Sequence, residues 1–144
     1  MHTWTPNEHT SSADTPASMA HLHGIDALIQ VEEGFGYGMF EDVCETYGIT
    51  KSKLADILNI PRANLQRRQQ SGSLNQDESD KLLRFVRIMR MAKHVLTDQA
   101  QALQWMKRPI IQMDGKLPFD LLATEAGARE VENLLLSIEH GMFS

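Results

Sequence analysis

Side chains that could contact nucleic acid are concentrated in the middle of this 144-residue chain. Arginine and asparagine can hydrogen-bond to the edges of guanine and adenine, and hydroxyl and lysine groups can hold the phosphate backbone. Residues 50–53 supply groups of the second kind, and residues 62–68 supply arginine and asparagine side chains that can read base edges or hold phosphates. The candidate DNA-binding residues are Thr50, Lys51, Ser52, Lys53, Arg62, Asn64, Arg67 and Arg68.

The spacing between these two groups is typical of a helix-turn-helix, in which two short helices pack across a tight turn. The first helix needs a small residue where the second crosses it, and Ala55 supplies one. Asn59 tolerates the left-handed backbone of the turn, and Leu65 can lock the two helices together. Pro61 suits the first position of the second helix. The alternative is an ordinary helical hairpin with a solvated face.

The distribution of charge favours DNA binding. The whole chain carries 14 Lys and Arg against 19 Asp and Glu, and its net charge of −5 argues against a protein that coats nucleic acid. However, residues 1–50 hold eight acidic and no basic residues, residues 51–93 hold ten basic and four acidic, and residues 94–144 hold four basic and seven acidic. The basic centre therefore predicts an anionic partner for the middle of the chain.

Other chemistry has little support in the sequence. Gly34, Gly36 and Gly38 form a GxGxG run, but acidic residues follow where a phosphate would bind, so a flexible entry to a helix is predicted. The single cysteine, Cys44, excludes an intramolecular disulfide and is expected in the core. The histidines at 21 and 23 have no further metal ligands nearby. We therefore predict no catalytic site, no metal site and no cofactor.

Apolar periodicity and capping residues predict an all-α fold after a flexible leader over residues 1–24. Residues 25–33 are apolar but too short to distinguish helix from strand. The predicted helices span about residues 39–47, 50–58, 62–70, 77–96, 97 or 98 to 106, and 124–139, with a helical turn over 118–123. No apolar run is long enough for a membrane span and no secretory signal is present, so a reducing cytoplasm is expected.

The longest predicted helix, over residues 77–96, separates apolar from basic residues. Its predicted core face comprises Leu82, Phe85, Val86, Met89, Ala92 and Leu96. The opposite face carries Lys81, Arg84 and Arg87. Because Arg84, Arg87 and Arg90 recur every third residue, we expect a solvated or salt-bridged face there rather than a second DNA contact. Trp105 and residues 134–136 are also expected in the core.

Two parts of the sequence resemble one family of bacterial antitoxins. Residues 54–61 (LADILNIP) and 65–68 (LQRR), with Gly72, Leu74, Glu78, Ser79, Leu82 and Arg84, are similar to its Xre-type helix-turn-helix module. The associated C-terminal domain is matched by Ala102, Trp105, Met106, Pro109, Gly115, Pro118, Leu121, Leu122, Thr124, Gly127, Val131, Leu134, Leu135, Ile138 and Gly141. The family comprises the Xre, MbcA and ParS antitoxins of RES–Xre toxin–antitoxin systems. Met106 and residues 111–113 depart from its usual pattern.

The resemblance implies an all-helical antitoxin that forms homodimers and is not an enzyme. It implies a helix-turn-helix and dimerisation domain over residues 25–96 and a toxin-binding domain over residues 97–144. The partners would be operator DNA, whose binding represses the antitoxin's own operon, and a RES-domain toxin that destroys NAD⁺. The alternative is a free-standing transcriptional regulator whose C-terminal domain senses a ligand or only dimerises.

In this family the C-terminal segment is expected to enter and block the active-site cleft of the toxin. The residues that correspond to it are Glu139, His140, Gly141, Met142, Phe143 and Ser144. Gly141 can end the last helix, and Met142 and Phe143 are apolar where a solvated tail is normally polar. The terminal carboxylate of Ser144 could pair with basic groups of a pyrophosphate site. The alternative is that Met142 and Phe143 fold back onto the antitoxin's own core.

Overall fold

The structure, a computed structural model, describes residues 24–141, with side chains from residue 29 onward. The helices are α1 (Gly24–Glu33), α2 (Tyr37–Tyr47), α3 (Lys51–Ile57), α4 (Arg62–Ser71), α5 (Gln76–Leu96), α6 (Gln99–Met106) and α7 (Glu125–Glu139). Short 3₁₀ turns cover Ile111–Met113 and Pro118–Leu121. The all-α prediction is confirmed, because extended pairing within the described residues is limited to two isolated bridges. None of the helices described here has the length and apolarity needed to cross a membrane.

Residues 25–33, which the sequence left between helix and strand, form most of α1. The predicted leader falls almost entirely on residues 1–23, which lie outside the described residues together with the histidines at 21 and 23. Its last residue, Gly24, is instead the first residue of α1.

Several helices begin at the capping residues that were predicted from the sequence, and side-chain hydrogen bonds stabilise these starts. The hydroxyl oxygen of Thr50 accepts from the Lys53 amide at the start of α3, and that of Thr124 accepts from the Gly127 amide at the start of α7. Asp98, and not Thr97, caps α6 by accepting from the Gln101 amide at 2.7 Å. Pro61 immediately precedes α4 rather than being its first residue.

Helix α5 lies at the centre of the fold and packs against α1, α6 and α7. Its predicted core face is confirmed apart from Leu96, which is only half-buried. Phe85 stacks on Phe119 with ring centroids 6.2 Å apart and meets Tyr47 edge to face at 5.7 Å. These contacts join α2, α5 and the turn at Pro118–Leu121 in one apolar core.

The arginine-bearing face of α5 is salt-bridged, and Arg84 is buried rather than solvated. Arg84 is only 8% exposed. Its Nε donates to Glu125 of α7 at 2.9 Å, and its Nη2 donates to Asp80 at 2.7 Å. Arg87 donates to the other oxygen of Glu125 at 3.3 Å. Of the two predicted states, solvated or salt-bridged, the face is salt-bridged, and the start of α7 partly covers it.

The GxGxG run is a close backbone contact and not a flexible entry. The amide of Leu74 donates to the carbonyl of Phe35 at 2.7 Å, and the amide of Tyr37 donates to the carbonyl of Gly72 at 2.8 Å. Gly34 has a φ of +89°, and a Cβ there would lie 2.3 Å from the carbonyl oxygen of Leu74. The glycines therefore allow this segment to pair with the loop that follows α4.

Candidate functional site

Helices α3 and α4 form the predicted helix-turn-helix. Ala55 is completely buried where the two helices meet, and the Ile60 amide donates to its carbonyl at 2.8 Å. Asn59 occupies the left-handed region with a φ of 56°, and Leu65 is half-buried against the core. All three signature positions therefore have the roles that their spacing predicts.

Helix α4 is the most exposed helix of this unit, since none of its residues is fully buried. Arg62 at its start donates to the Ser52 hydroxyl of α3 at 2.7 Å, so two of the predicted DNA-binding groups lie side by side. One turn further, Arg67 hydrogen-bonds to the side-chain oxygen of Asn64. These contacts place Ser52 beside Arg62 and link Asn64 to Arg67, whereas Lys53 lines a separate cavity with Asp120 and Ala123.

Arg68 is placed differently from the other predicted DNA-binding residues. Its Nε donates to the Oε1 of Glu78 at 2.8 Å, and only 5% of the Glu78 side chain is exposed. The same carboxylate oxygen accepts from the Asn75 amide at the start of α5. Arg68 therefore ties the end of α4 to α5, and its guanidinium is less available to DNA than that of Arg67.

At the start of α3, Lys51 is held by α2. Its Nζ lies 2.8 Å from Glu41 and 5.6 Å from the centroid of the Tyr37 ring. The hydrogen bond to Glu41 raises the pKa of Lys51 above its ordinary value. Thr50 and Lys53 are exposed, and Ser52 is half-buried.

The C-terminal segment begins at the end of α7, where Glu139 faces α5. The Nε2 of His94 on α5 lies 3.3 Å from one Glu139 oxygen, and the Nε2 of His140 lies 3.8 Å from the other. Gly141 follows with a left-handed φ of 72°. The other predicted toxin-binding residues, Met142, Phe143 and Ser144, lie outside the described residues.

The structure contains an apolar groove that was not predicted from the sequence, which we call the C-terminal groove. Trp105 and Leu134 were expected in the core, but they are half-buried and line the groove, whereas Leu135 is completely buried. Its lining residues are Trp105, Arg108, Pro109, Ile110, Ile111, Gln112, Leu134 and Ile138. The sequence signals were the apolar loop residues that follow Pro109 and the four-residue spacing of Leu134 and Ile138.

Comparison with known proteins matches two domain models to successive parts of the chain. Residues 26–87 match the model of the antitoxin Xre-like helix-turn-helix domain, and residues 91–141 match that of the antitoxin Xre/MbcA/ParS C-terminal toxin-binding domain. A protein named Antitoxin Xre from Yersinia enterocolitica is 30% identical over 142 residues, covering 97% of this chain and 96% of the relative. The chain belongs to the Xre-type antitoxin family.

Two further relatives named Antitoxin Xre match shorter parts of the chain. The protein from Photorhabdus laumondii is 42% identical over 94 residues, which cover 62% of this chain and 64% of the relative. The protein from Pseudomonas putida is 35% identical over 83 residues, which cover 57% of this chain and 52% of the relative.

As an Xre-type antitoxin, the chain has a toxin as its partner through the C-terminal region. The exposed α4 belongs to the matched helix-turn-helix domain, and the C-terminal groove and the end of α7 belong to the matched toxin-binding domain. Helix α5 runs through the junction between the matched regions; its start pairs with α4 through Glu78 and Arg68, and its end contacts α7 through His94 and Glu139.

Proposed function

We propose that this antitoxin neutralises a RES-domain toxin that destroys NAD⁺ and represses its own operon through the helix-turn-helix. The observation that carries the proposal is the occurrence of both family domains in this order, each with an open surface suited to its partner. In this proposal the chain is not an enzyme, because it acts by occupying the toxin and the operator.

The inhibitory element in this proposal is the segment from Glu139 to Ser144. Gly141 supports it, because a left-handed residue after α7 lets the following chain leave the helix axis. The two residues after Gly141 are apolar, as expected for a segment that enters a cleft. The contact of Glu139 with His94 would hold the start of the segment against α5.

Co-expression with a RES-domain toxin encoded beside the antitoxin tests the inhibitory segment. The full-length chain is expected to restore growth and cellular NAD⁺, whereas a chain lacking residues 139–144 is expected to do neither. Glu130→Ala, at an exposed site on α7, is the matched control and should neutralise fully. Full rescue by the truncated chain would refute the blocking mechanism.

For the operator, the proposal relies on α4 as the recognition helix. Arg62 and Arg67 are exposed on α4 and lie next to the hydroxyl and amide groups of Ser52 and Asn64. A homodimer would present two such helices to successive major-groove segments, about 34 Å apart for half-sites one helical turn apart.

Binding of the DNA that lies upstream of the antitoxin's operon, measured over a range of salt concentrations, tests the operator proposal. The double variant Arg62→Ala/Arg67→Ala is expected to bind weakly and to lower the slope of log affinity against log salt by about two. Arg129→Ala removes an exposed arginine from α7 and should bind as the wild type does. Unchanged binding by the double variant would remove α4 from the DNA contact.

The proposed homodimer is measurable by sedimentation of the toxin-free chain and of its complex with operator DNA.

The C-terminal groove favours one competing function, a free-standing regulator whose C-terminal region senses an apolar ligand. That function predicts operator binding by a chain that does not rescue cells from the neighbouring toxin. The co-expression experiment therefore also separates the two functions.

A further inference from the structure

The C-terminal groove is an open apolar cavity with a volume of about 280 Å³, and it lies between α6, the loop after α6 and the end of α7. Ile111 stands at its edge and is 90% exposed. Among the residues described, Ile29 on α1 is the other large exposed apolar side chain, at 44%. Isolated exposed apolar residues are common, but Ile111 adjoins Trp105, Leu134 and Ile138 and extends their apolar surface.

The loop that carries Ile111 is held by its own backbone. The Ile110 amide donates to the Lys116 carbonyl at 2.8 Å, and the Gly115 amide donates to the Ile110 carbonyl at 2.9 Å. Asp114 and Gly115 both adopt left-handed conformations and close the turn. Because these contacts fix the loop, presenting Ile111 to a partner would require little ordering of the loop.

The position of the groove indicates which partner covers it. All of its lining residues fall within residues 91–141, the part of the chain that matches the toxin-binding domain. Ile138 lines the groove and directly precedes Glu139, where the proposed inhibitory segment begins. A toxin whose cleft receives that segment would therefore lie against the groove as well.

We propose that the C-terminal groove is a second toxin contact, separate from the inhibitory segment. It receives an apolar side chain from the toxin surface beside the mouth of the cleft. Tryptophan and arginine, which supply much of the binding energy in protein interfaces, are present here as Trp105 and Arg108. Lys107 and Arg108 are exposed beside the apolar residues, so the facing toxin surface carries acidic groups.

This inference rests on the proposed toxin partner and divides its binding into two tasks. The inhibitory segment blocks the active site, and the groove holds the toxin in place. With the toxin held, the segment enters the cleft as an intramolecular event at high effective concentration. The two contacts are therefore separable by variants that change one and leave the other intact.

The test is calorimetric titration of the purified RES-domain toxin with the full-length antitoxin and its Ile111→Glu variant. Because Ile111 is almost fully exposed, the variant is expected to keep the wild-type melting temperature while its toxin affinity falls by about tenfold or more. Ile29→Glu makes the same replacement at the other exposed isoleucine, and its toxin affinity is expected to stay within about twofold of wild type.

Deletion of residues 142–144 completes the design. This variant is expected to keep most of the binding through the groove and to lose inhibition of NAD⁺ hydrolysis. If Ile111→Glu binds as wild type while the deletion abolishes both binding and inhibition, the second contact is refuted and the inhibitory segment stands. If Ile111→Glu instead converts a toxin-free dimer to a monomer, a second copy covers the groove. Absence of any binding by the wild-type chain would refute the RES-domain toxin as its partner.

Discussion

The guanidinium of Arg68 and the carboxylate of Glu78 join the end of α4 to the start of α5 through an Nε–Oε1 contact of 2.8 Å. Glu78 is buried and also closes the capping box of α5 with Asn75. Helix α4 has no fully buried residue, so its few inward contacts matter for its orientation. The ion pair therefore makes Arg68 a positioning residue for the proposed recognition helix.

The first prediction separates Arg68 from its neighbour Arg67. Arg68→Ala leaves the buried Glu78 carboxylate without its cation, so the free energy of unfolding should fall by roughly 1–3 kcal/mol. Arg67→Ala changes an exposed residue and should alter that free energy by less than about 0.5 kcal/mol. Urea unfolding followed by circular dichroism measures both. Equal stabilities of the two variants would show that the Arg68–Glu78 pair contributes nothing.

The second prediction compares two helical glycines with different surroundings. A Cβ at Gly127 would lie 2.1 Å from the backbone oxygen of Leu121, so Gly127→Ala should force α7 away from the preceding turn. The expected loss of stability is about 1–3 kcal/mol. Gly38 in α2 has nothing within 4 Å of a Cβ, and Gly38→Ala should stabilise by roughly 0.4–1 kcal/mol. Thermal unfolding of both variants would reveal the opposite signs, and a shift of the same sign contradicts the packing described.

The third prediction concerns acid stability and the carboxylate of Glu125. Partial burial alone would raise its pKa, but hydrogen bonds and charge from Arg84 and Arg87 outweigh this and hold the pKa below the ordinary 4.5. A depressed pKa in the folded state means that Glu125 stabilises the fold above about pH 4.5. That contribution is lost as the pH falls through the lower folded-state value.

Glu125→Gln is therefore expected to lower stability at pH 7 and to reduce the further loss between about pH 4.5 and pH 3. Urea midpoints measured across this range provide the test. Glu130→Gln on the exposed face of α7 is the control, and its pH profile should follow that of the wild type. A wild-type profile for Glu125→Gln would mean that the arginine contacts do not stabilise the carboxylate.

The fourth prediction uses Cys44, the single cysteine of the sequence. Burial raises the pKa of its thiol to about 11, and the residue is only 8% exposed. The thiolate fraction at pH 8 is then roughly a hundredfold smaller than for an ordinary thiol, so reaction with a disulfide reagent should be at least that much slower. The same chain unfolded in urea is the reference. Comparable rates in the two states would place Cys44 at the surface.

Local features of the fold could be predicted from the sequence because neighbouring residues create them. The helix-turn-helix follows from the spacing of Ala55, Asn59 and Leu65, since each position meets a steric demand of the same short segment. The starts of α3 and α7 follow from Thr50 and Thr124, whose hydroxyls reach amides only three residues away.

Features that depend on distant residues were missed. The burial of Arg84 results from Glu125, which lies 41 residues away on another helix. The role of Gly34 depends on the backbone of Leu74 beside it. Periodicity marks a position as polar or apolar, but it does not show which distant element covers that position.

The candidate toxin-binding site was predictable only in part, for the same reason. Residues 139–144 were assigned through the family resemblance, whereas the C-terminal groove exists only because the fold brings α6, the loop after α6 and the end of α7 together. Trp105 looked like a core residue because its type is usually buried. Only the packing of the helices shows that Trp105 is half-buried against the core and also lines the groove.

Helix α5 continues without interruption from the first matched region into the second. Its Phe85 stacks on Phe119 and its Arg84 pairs with Glu125, both of which lie beyond the end of α5. A protease that removed the chain after α5 would strip these contacts from the helix that supports α4. If the proposed function is correct, repression of the operon and neutralisation of the toxin would then be lost together when the chain is cleaved. Degradation would release the toxin and begin resupply of the antitoxin in a single event.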